Sequence, residues 1–356
     1  MEIKFEKISR KVVFLNPSKD FSEEEHVIEY RADPLTGRRC RISVERATRA
    51  EMLASKELDE AVLEEICRTK KTCYFCEHNL ESQTPKFHPK LIGTERIRVG
   101  EAVVVPNLYP FGEYHGVCVV SKDHLTDLRW MGSEMLKQSF KASIRFFRAV
   151  NEKDREAIYP SVNCNFLHPA GASIPHAHLQ IFVERKGTET LDELTDRSKE
   201  YFLRNERCFW VDLVEKEEAS EERHIGRSGS FSWLASWSPL GNNEILGVAR
   251  EPISCITDLE DTQIGDLAEG LSKVLKGLRE KRGVFSLNFS VYSSPMVKEN
   301  GEFFRLFIKI ISRPSPRSFY ASDQGFMEVL QREPVIHTMP EDVARDIRTY
   351  FADRRG

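Results

Sequence analysis

The sequence predicts an α+β fold of two tandem repeats, each an antiparallel sheet with helices packed on it, and three observations carry that prediction. At roughly 150 residues per domain, 356 residues leave room for two units. The order strand, strand, helix, strand, strand is read twice along the chain. The two passes keep a near-constant offset: His124 to Pro252 spans 128 positions and His176 to Arg305 spans 129.

The first thirty residues read as a leader arm, followed by a Pro-Leu-Thr-Gly turn and a short strand that alternates Cys40, Ile42 and Val44. Leu53, Leu58, Val62, Leu63 and Ile66 fall at helical spacing within Glu51–Arg68. Cys73 then opens a knuckle-like loop. Glu101–Val105 and Val117–Ser121 are predicted strands around the turn-rich NLYPFGEYHG, and Leu136, Phe140, Ile144 and Phe147 mark one face of a helix over Ser133–Asn151. Ser161–Leu167 and Ile174–Glu184 are strands flanking the loop HPAGAS.

In the second pass, Phe231–Glu251 holds two strands around Gly-Asn-Asn, and Ile264, Leu267, Leu271, Val274, Leu275 and Leu278 mark a helix. Strands follow at Phe285–Tyr292 and Phe303–Ser312. The expected division is 1–190, a connecting segment 191–230, and 231–356, with the acidic run Glu215–Arg223 expected as a solvated loop.

Composition narrows the function. Fifty-two Lys and Arg against 56 Asp and Glu give a net charge of −4 with no basic stripe, which argues against long nucleic acid as a partner. No apolar run approaches the roughly 18 residues of a membrane span, and MEIKFEKISRK lacks the apolar core of a signal peptide, so a cytoplasmic protein with no membrane partner is expected. Eight cysteines are too sparse for a disulfide scaffold.

The chemistry concentrates in SIPHAHLQIFVE, Ser173–Glu184. The period-two geometry of a strand sets His176, His178 and Gln180 side by side on one face, with Ala177 and Leu179 on the other. The preceding Gly-Ala-Ser offers small residues and backbone N–H groups through which an anion can approach. CYFC, Cys73–Cys76, is the second element: two thiolates that can share one tetrahedral ion with two histidines, or a redox dithiol. Among ten histidines, His124, just after a strand, and His176 are the best candidates for the remaining ligands, with His115 in the Tyr-His-Gly turn as the rival.

PHAHLQ, PLTGRRCRISVERATR, CYFC, PNLYP and SKDH together resemble the galactose-1-phosphate uridylyltransferase family of the histidine triad superfamily, with its nucleotide-sugar phosphorylase relatives. The diagnostic motifs cover Tyr30–Glu184; the second half matches weakly, best at QGFMEV and MPEDVARDIR. The resemblance implies two histidine-triad-like halves, the first catalytic. It implies one structural zinc ion per chain on Cys73, Cys76, His124 and His176, and His178 as a nucleophile. Gln180 would hydrogen-bond the attacked phosphate, and Ser173 and the backbone near Gly171 would contact the adjoining one. Asn165, Arg46, Arg49 and Asn107 match residues near the nucleotide and phosphates. It also implies a homodimer in which the second half of one subunit closes the other's sugar site.

Two departures stand out. Where the family often has a proline between the two histidines, this chain has Ala177, with Pro175 placed before the pair. In the second half the positions of His124, His176, His178 and Gln180 hold Pro252, Arg305, Phe307 and Lys309, so that half has neither the metal ligands nor the nucleophile. Arg305 and Lys309 are read either as an anion site or as exposed cations of an edge strand. Trp233, Trp237, Phe303 and Phe304 are read as core before interface.

The activity expected is ping-pong nucleotidyl transfer: a UDP- or ADP-hexose donates its nucleoside monophosphate to His178, and hexose 1-phosphate or inorganic phosphate accepts it. The alternatives are a dinucleoside polyphosphate phosphorylase and a catalytically inactive, zinc-stabilised nucleotide-binding protein.

Overall fold

The computed structural model describes residues 3–46, 58, 60–124, 127–297, 300–317 and 322–352. In chain order its elements are β1 (Lys7–Asn16), β2 (Ser22–Ala32), β3 (Arg39–Ile42), α1 (Glu60–Arg68), α2 (Glu77–Gln83), β4 (Ile97–Val99), β5 (Ala102–Pro106), β6 (Tyr114–Val119), α3 (Ser133–Lys153), β7 (Tyr159–Phe166) and β8 (His178–Glu184). There follow α4 (Glu189–Asn205), α5 (Phe209–Ser220), β9 (His224–Ser228), β10 (Phe231–Ala235), β11 (Ile245–Ala249), α6 (Asp261–Arg282), β12 (Ser286–Tyr292), β13 (Phe307–Arg313), β14 (Val335–Ile336) and α7 (Pro340–Arg348).

Ten strands make one sheet in the order β4-β5-β6-β8-β7-β12-β13-β11-β10-β9. Read outward from the β7–β12 seam, each half repeats the same sequence of strands, so an approximate two-fold axis relates them. The register places it: Asn163 pairs with Ser290 across the seam, Gln180 pairs with Asn163, and Lys309 pairs with Ser290. Gln180 and Lys309 are therefore equivalent positions, in agreement with the offset read from the sequence.

α3 and α6 lie together on one face of the sheet and bury Leu136, Phe140 and Phe147 with Leu267, Leu271 and Leu278 in a single core. Each such side chain removed from water contributes about 1.5–3 kcal/mol. α6 starts with a capping box, Glu260 and Gln263 each bonding the other's backbone, and stops at Gly283, whose φ of +64° suits a residue without Cβ. On the other face β7 and β12 alternate buried residues with half-buried Ser161, Asn163, Asn165, Asn288 and Ser290, which leaves a polar strip at the centre of the sheet. α5 covers that face over the second half, where Trp210, Phe304, Phe307, Leu234, Leu246 and Val248 form a second core.

Several expectations are corrected here. The leader arm is a ten-pair hairpin, β1 on β2, turned by Asn16-Pro17 and by Asp20 and Phe21 at positive φ. Its charges and apolar residues are interleaved, which hid the strands. The acidic run is the end of α5: Glu217 is fully buried and its carboxylate accepts from Arg223 at 2.9 Å, while Glu218 takes Ser232 Oγ at 2.9 Å. A buried pair of opposite charges reads in sequence like a solvated one. β8 starts at His178, four residues after Ile174, and β13 at Phe307, so Arg305 precedes its strand. β13 lies between β12 and β11, away from either edge, which removes the edge-strand reading of Arg305 and Lys309. Trp233 and Phe304 are core, as is most of Trp237. Of the helix expected over 51–68, residues 51–57 and 59 lie outside the described residues.

Candidate active site and metal-ligand cluster

Three segments that pass the end of β8 bring four soft donors together. The loop before α2 supplies Cys73 and Cys76, the stretch after β6 supplies His124, and the residues leading into β8 supply His176. Their ligand atoms all lie within 4.8 Å of one another. Cys73 Sγ and Cys76 Sγ are each 3.6 Å from His176 Nδ1, and Cys76 Sγ is 3.4 Å from His124 Nδ1. A tetrahedral zinc with bonds near 2.3 Å to sulfur and 2.05 Å to nitrogen has sulfur–nitrogen edges of about 3.5 Å, so these spacings fit such a cation.

The outer contacts fix which nitrogen faces the thiols. His176 Nε2 donates to Ser121 O at 2.9 Å. His124 Nε2 lies 3.1 Å from Thr69 Oγ1, whose own proton goes to Ile66 O at 2.6 Å, so Nε2 carries the hydrogen there too. Both Nδ1 atoms are thus left as lone pairs toward the cluster, the arrangement a ligating imidazole needs. Burial and the neighbouring Cys73 push the Cys76 thiol up to about 12, and burial pulls His176 down to about 4. Those shifts favour the neutral forms of Cys76 and His176, and a divalent ion would supply the charge that two thiolates require. These four donors fit one metal ion.

Two residues on, His178 is 5% exposed, and its Nδ1–H donates to the His176 carbonyl at 2.8 Å. Burial lowers its basicity, so the ring is neutral with an unprotonated Nε2. The Phe75 ring, from between the two cysteines, packs on it with centroids 5.1 Å apart. Next on β8, half-buried Gln180 turns Oε1 to Asn107 Nδ2 at 3.0 Å and His115 Nε2 at 2.6 Å. His115 therefore belongs to Gln180 and not to the metal cluster, and Asn107 reaches the same amide.

The loop after β7 returns through Gly171, at φ +90°, a conformation open to a residue without Cβ. Ser173 there is exposed. Asn165 points at this loop: a Cβ on Gly171 would stand 3.6 Å from its Nδ2. Asn165 Oδ1 accepts from Asn288 Nδ2 at 2.7 Å, and the same amide bonds Ala170 O at 2.8 Å. Asn288 is held by Arg313 Nη1 at 2.8 Å, and Arg313 by a two-pronged pair with Asp323. Asn288 and Arg313 come from the second half and carry no motif; the only signal for them is the seam between β7 and β12. Arg46 is exposed just past β3, and Arg49 lies outside the described residues.

The equivalent place in the second half is closed. Phe307, where His178 would be, is stacked between Trp210 at 4.2 Å and Tyr292 at 4.7 Å. Lys309 pairs with buried Glu244 at 3.3 Å, and Arg305 Nη1 donates to Gly301 O and Phe304 O while its buried Nε has no partner among the described residues.

No family model matches the chain. An uncharacterized protein of Archaeoglobus fulgidus is 28% identical over 330 residues, which covers 93% of this chain and 94% of the relative. Among solved structures, an ADP-glucose phosphorylase from Arabidopsis thaliana with bound ADP-glucose superposes with a TM-score of 0.69 at 21% identity, over 90% of this chain and 98% of that one. A uridylyltransferase superposes with a TM-score of 0.63 at 20% identity, over 73% of this chain and 87% of that one. The chain has the fold of these proteins.

Proposed function

We propose that the protein transfers a nucleoside monophosphate from a nucleotide sugar to a phosphate acceptor through a covalent nucleotidyl-His178. The observation that carries this reading is the locked tautomer of His178. With Nδ1–H on the His176 carbonyl, a neutral Nε2 lone pair is held ready in a buried site beside the Gln180 amide.

In the first displacement Nε2 attacks the phosphorus next to the nucleoside. A nitrogen–phosphorus bond forms, the bridging oxygen leaves with sugar 1-phosphate, and the imidazole becomes cationic, its Nδ1–H still donating to the His176 carbonyl. In the second, an oxygen of hexose 1-phosphate or inorganic phosphate attacks the same phosphorus and the nitrogen–phosphorus bond breaks. In this reading Gln180, Asn165 and the Gly171–Ser173 loop donate to the non-bridging oxygens, each such donor contributing a few kcal/mol in a water-poor site. The resemblance would add Arg46 and Arg49 to that set.

Cys73, Cys76, His124 and His176 would hold one zinc ion. Four protein ligands fill its coordination, so it supplies architecture and no chemistry. The neutral strip of Asn163, Asn165, Asn288 and Ser290 beside Gln180 suits the hydroxyls of a nucleotide sugar. The resemblance brings a homodimer with it, and β1, exposed along nearly its whole length with Ile8, Val13 and Leu15 at the surface, leaves a strand edge for a second copy.

The test is incubation with UDP-glucose and ADP-glucose labelled in the nucleoside-side phosphate. An acid-labile, base-stable adduct is expected on the wild-type protein, discharged by phosphate or hexose 1-phosphate, and absent in His178→Gly. An adduct that persists in that variant rules the assignment out.

A further inference from the structure

The Gln180 amide has two orientations, and only the one that turns Nε2 away from His115 leaves a donor for a phosphoryl oxygen at His178. Oxygen and NH2 are close in size, so packing does not choose between them. We propose that His115 and Asn107 choose, as positioning residues that pin Gln180 Oε1 and aim its NH2 at the reacting phosphate. The inference rests on the reading of His178 and Gln180 given above.

The chain of constraint starts at two backbone amides, which can only donate. Phe111 N–H points to His115 Nδ1 at 3.4 Å, so Nδ1 accepts and the ring proton sits on Nε2. Nε2 then donates to Gln180 Oε1 at 2.6 Å. Tyr109 N–H donates to Asn107 Oδ1 at 2.9 Å, which turns Asn107 Nδ2 to the same Oε1 at 3.0 Å. Both donors converge on Oε1, and Asn107 Nδ2 also lies 3.1 Å from His115 Nε2. A flipped Gln180 would lose two hydrogen bonds and face donors with donors, which disfavours it by about 30-fold or more.

The relay is rigid. His115 is buried against the Phe111 ring at 4.1 Å and the Phe182 ring at 6.2 Å, and its carbonyl accepts from Asn107 N at 2.9 Å. The same backbone bond recurs in the second half, Ser236 N to Glu244 O at 3.1 Å, beside Lys309. There an acid stands where His115 does and a cation where Gln180 does. The donor sense is reversed in the half whose nucleophile position is Phe307, so the donor relay accompanies the half that keeps His178.

The experiment is single-turnover adduct formation with whichever labelled nucleotide sugar the wild-type protein accepts, alongside equilibrium binding of that compound to the His178→Gly background. His115→Phe keeps the packing and removes the donor. Asn107→Asp keeps the shape and turns an acceptor toward Oε1. Each is expected to slow adduct formation roughly tenfold or more while binding changes less than about threefold, and His115→Gln should recover most of the rate. In a Gln180→Ala background neither change should slow the reaction further, because each acts through Gln180. Losses that persist in that background, or wild-type rates in both variants, overturn the relay. A wild-type protein that forms no adduct overturns the transferase reading instead, and melting curves separate either result from misfolding.

Discussion

Replacing Cys73 by serine is expected to empty the metal cluster and to destabilise the whole first half. Serine preserves the shape but is a poor ligand, and three donors do not close a tetrahedron. A bound ion would tie the loop before α2, the stretch after β6 and the entry to β8, three segments distant in sequence, so its loss would remove a cross-link and leave a buried polar cluster uncompensated. Disrupting a buried, charge-compensated group of this kind costs about 3–5 kcal/mol, below the roughly 10–16 kcal/mol of zinc-dependent peptides that have no other core. Unfolding entropy near 2.1 cal/mol/K per residue gives about 0.75 kcal/mol/K for 356 residues, so a loss of about 4 kcal/mol lowers Tm by about 5 °C. Elemental analysis after dialysis should give about one equivalent of zinc in the wild-type protein and close to none in Cys73→Ser. Exposed Cys67 is the control, and Cys67→Ser should change neither quantity. Two equivalents in the wild-type protein, or a metal-free protein with an undiminished Tm, would refute the argument.

Arg223→Met is expected to cost about 3–5 kcal/mol in urea unfolding, since it leaves the fully buried Glu217 carboxylate without its cation and strips the Phe5 and Trp237 rings of the guanidinium that lies over them. Adding Glu217→Leu should restore most of that, and a double variant no more stable than Arg223→Met would show that the charge pair is not the cause. Gly270→Ala should cost about 1–3 kcal/mol, because its Cβ would stand 2.2 Å from Trp233 Nε1 and 2.4 Å from Ser228 Oγ. Loss of the 2.8 Å bond between those two groups should shift tryptophan fluorescence, and an unchanged spectrum with unchanged stability counts against this packing.

What the sequence made legible is what depends on local order. Helical spacing marks α3 and α6 because a long amphipathic helix repeats its signal over many turns; α3 starts at the expected Ser133 and runs two residues past Asn151, and α6 contains all six apolar positions read for it. The two-histidine motif and the two-cysteine loop were visible because each is a short spacing. The partners of those residues were not, because they depend on sheet register: Gln180 meets His115 through the β6–β8 pairing and Asn165 meets Asn288 through β7–β12. The β1–β2 hairpin and α5 were missed for a common reason. Both are charge-rich, and charge density says nothing about whether each charge finds a partner, as Glu217 and Arg223 do at 2.9 Å.

The two halves divide the work, and the seam explains how. A lone repeat would end at β7, with Asn163 and Asn165 on an open strand and the Gly171 loop unsupported. Pairing with β12 covers that edge, and Asn288 reaches across to fix both Asn165 and Ala170, with Arg313 and Asp323 holding Asn288 in turn. In the second half the face of β13 that corresponds to the His178 face of β8 is closed by Phe307. Trp210, carried in by the segment between the repeats, stacks on Phe307 there. The second half thus carries Phe307 in an apolar core at the position of His178, with Arg305 and Pro252 at the positions of His176 and His124, and what it contributes to the first half passes through β12 and β13, the strands nearest the seam.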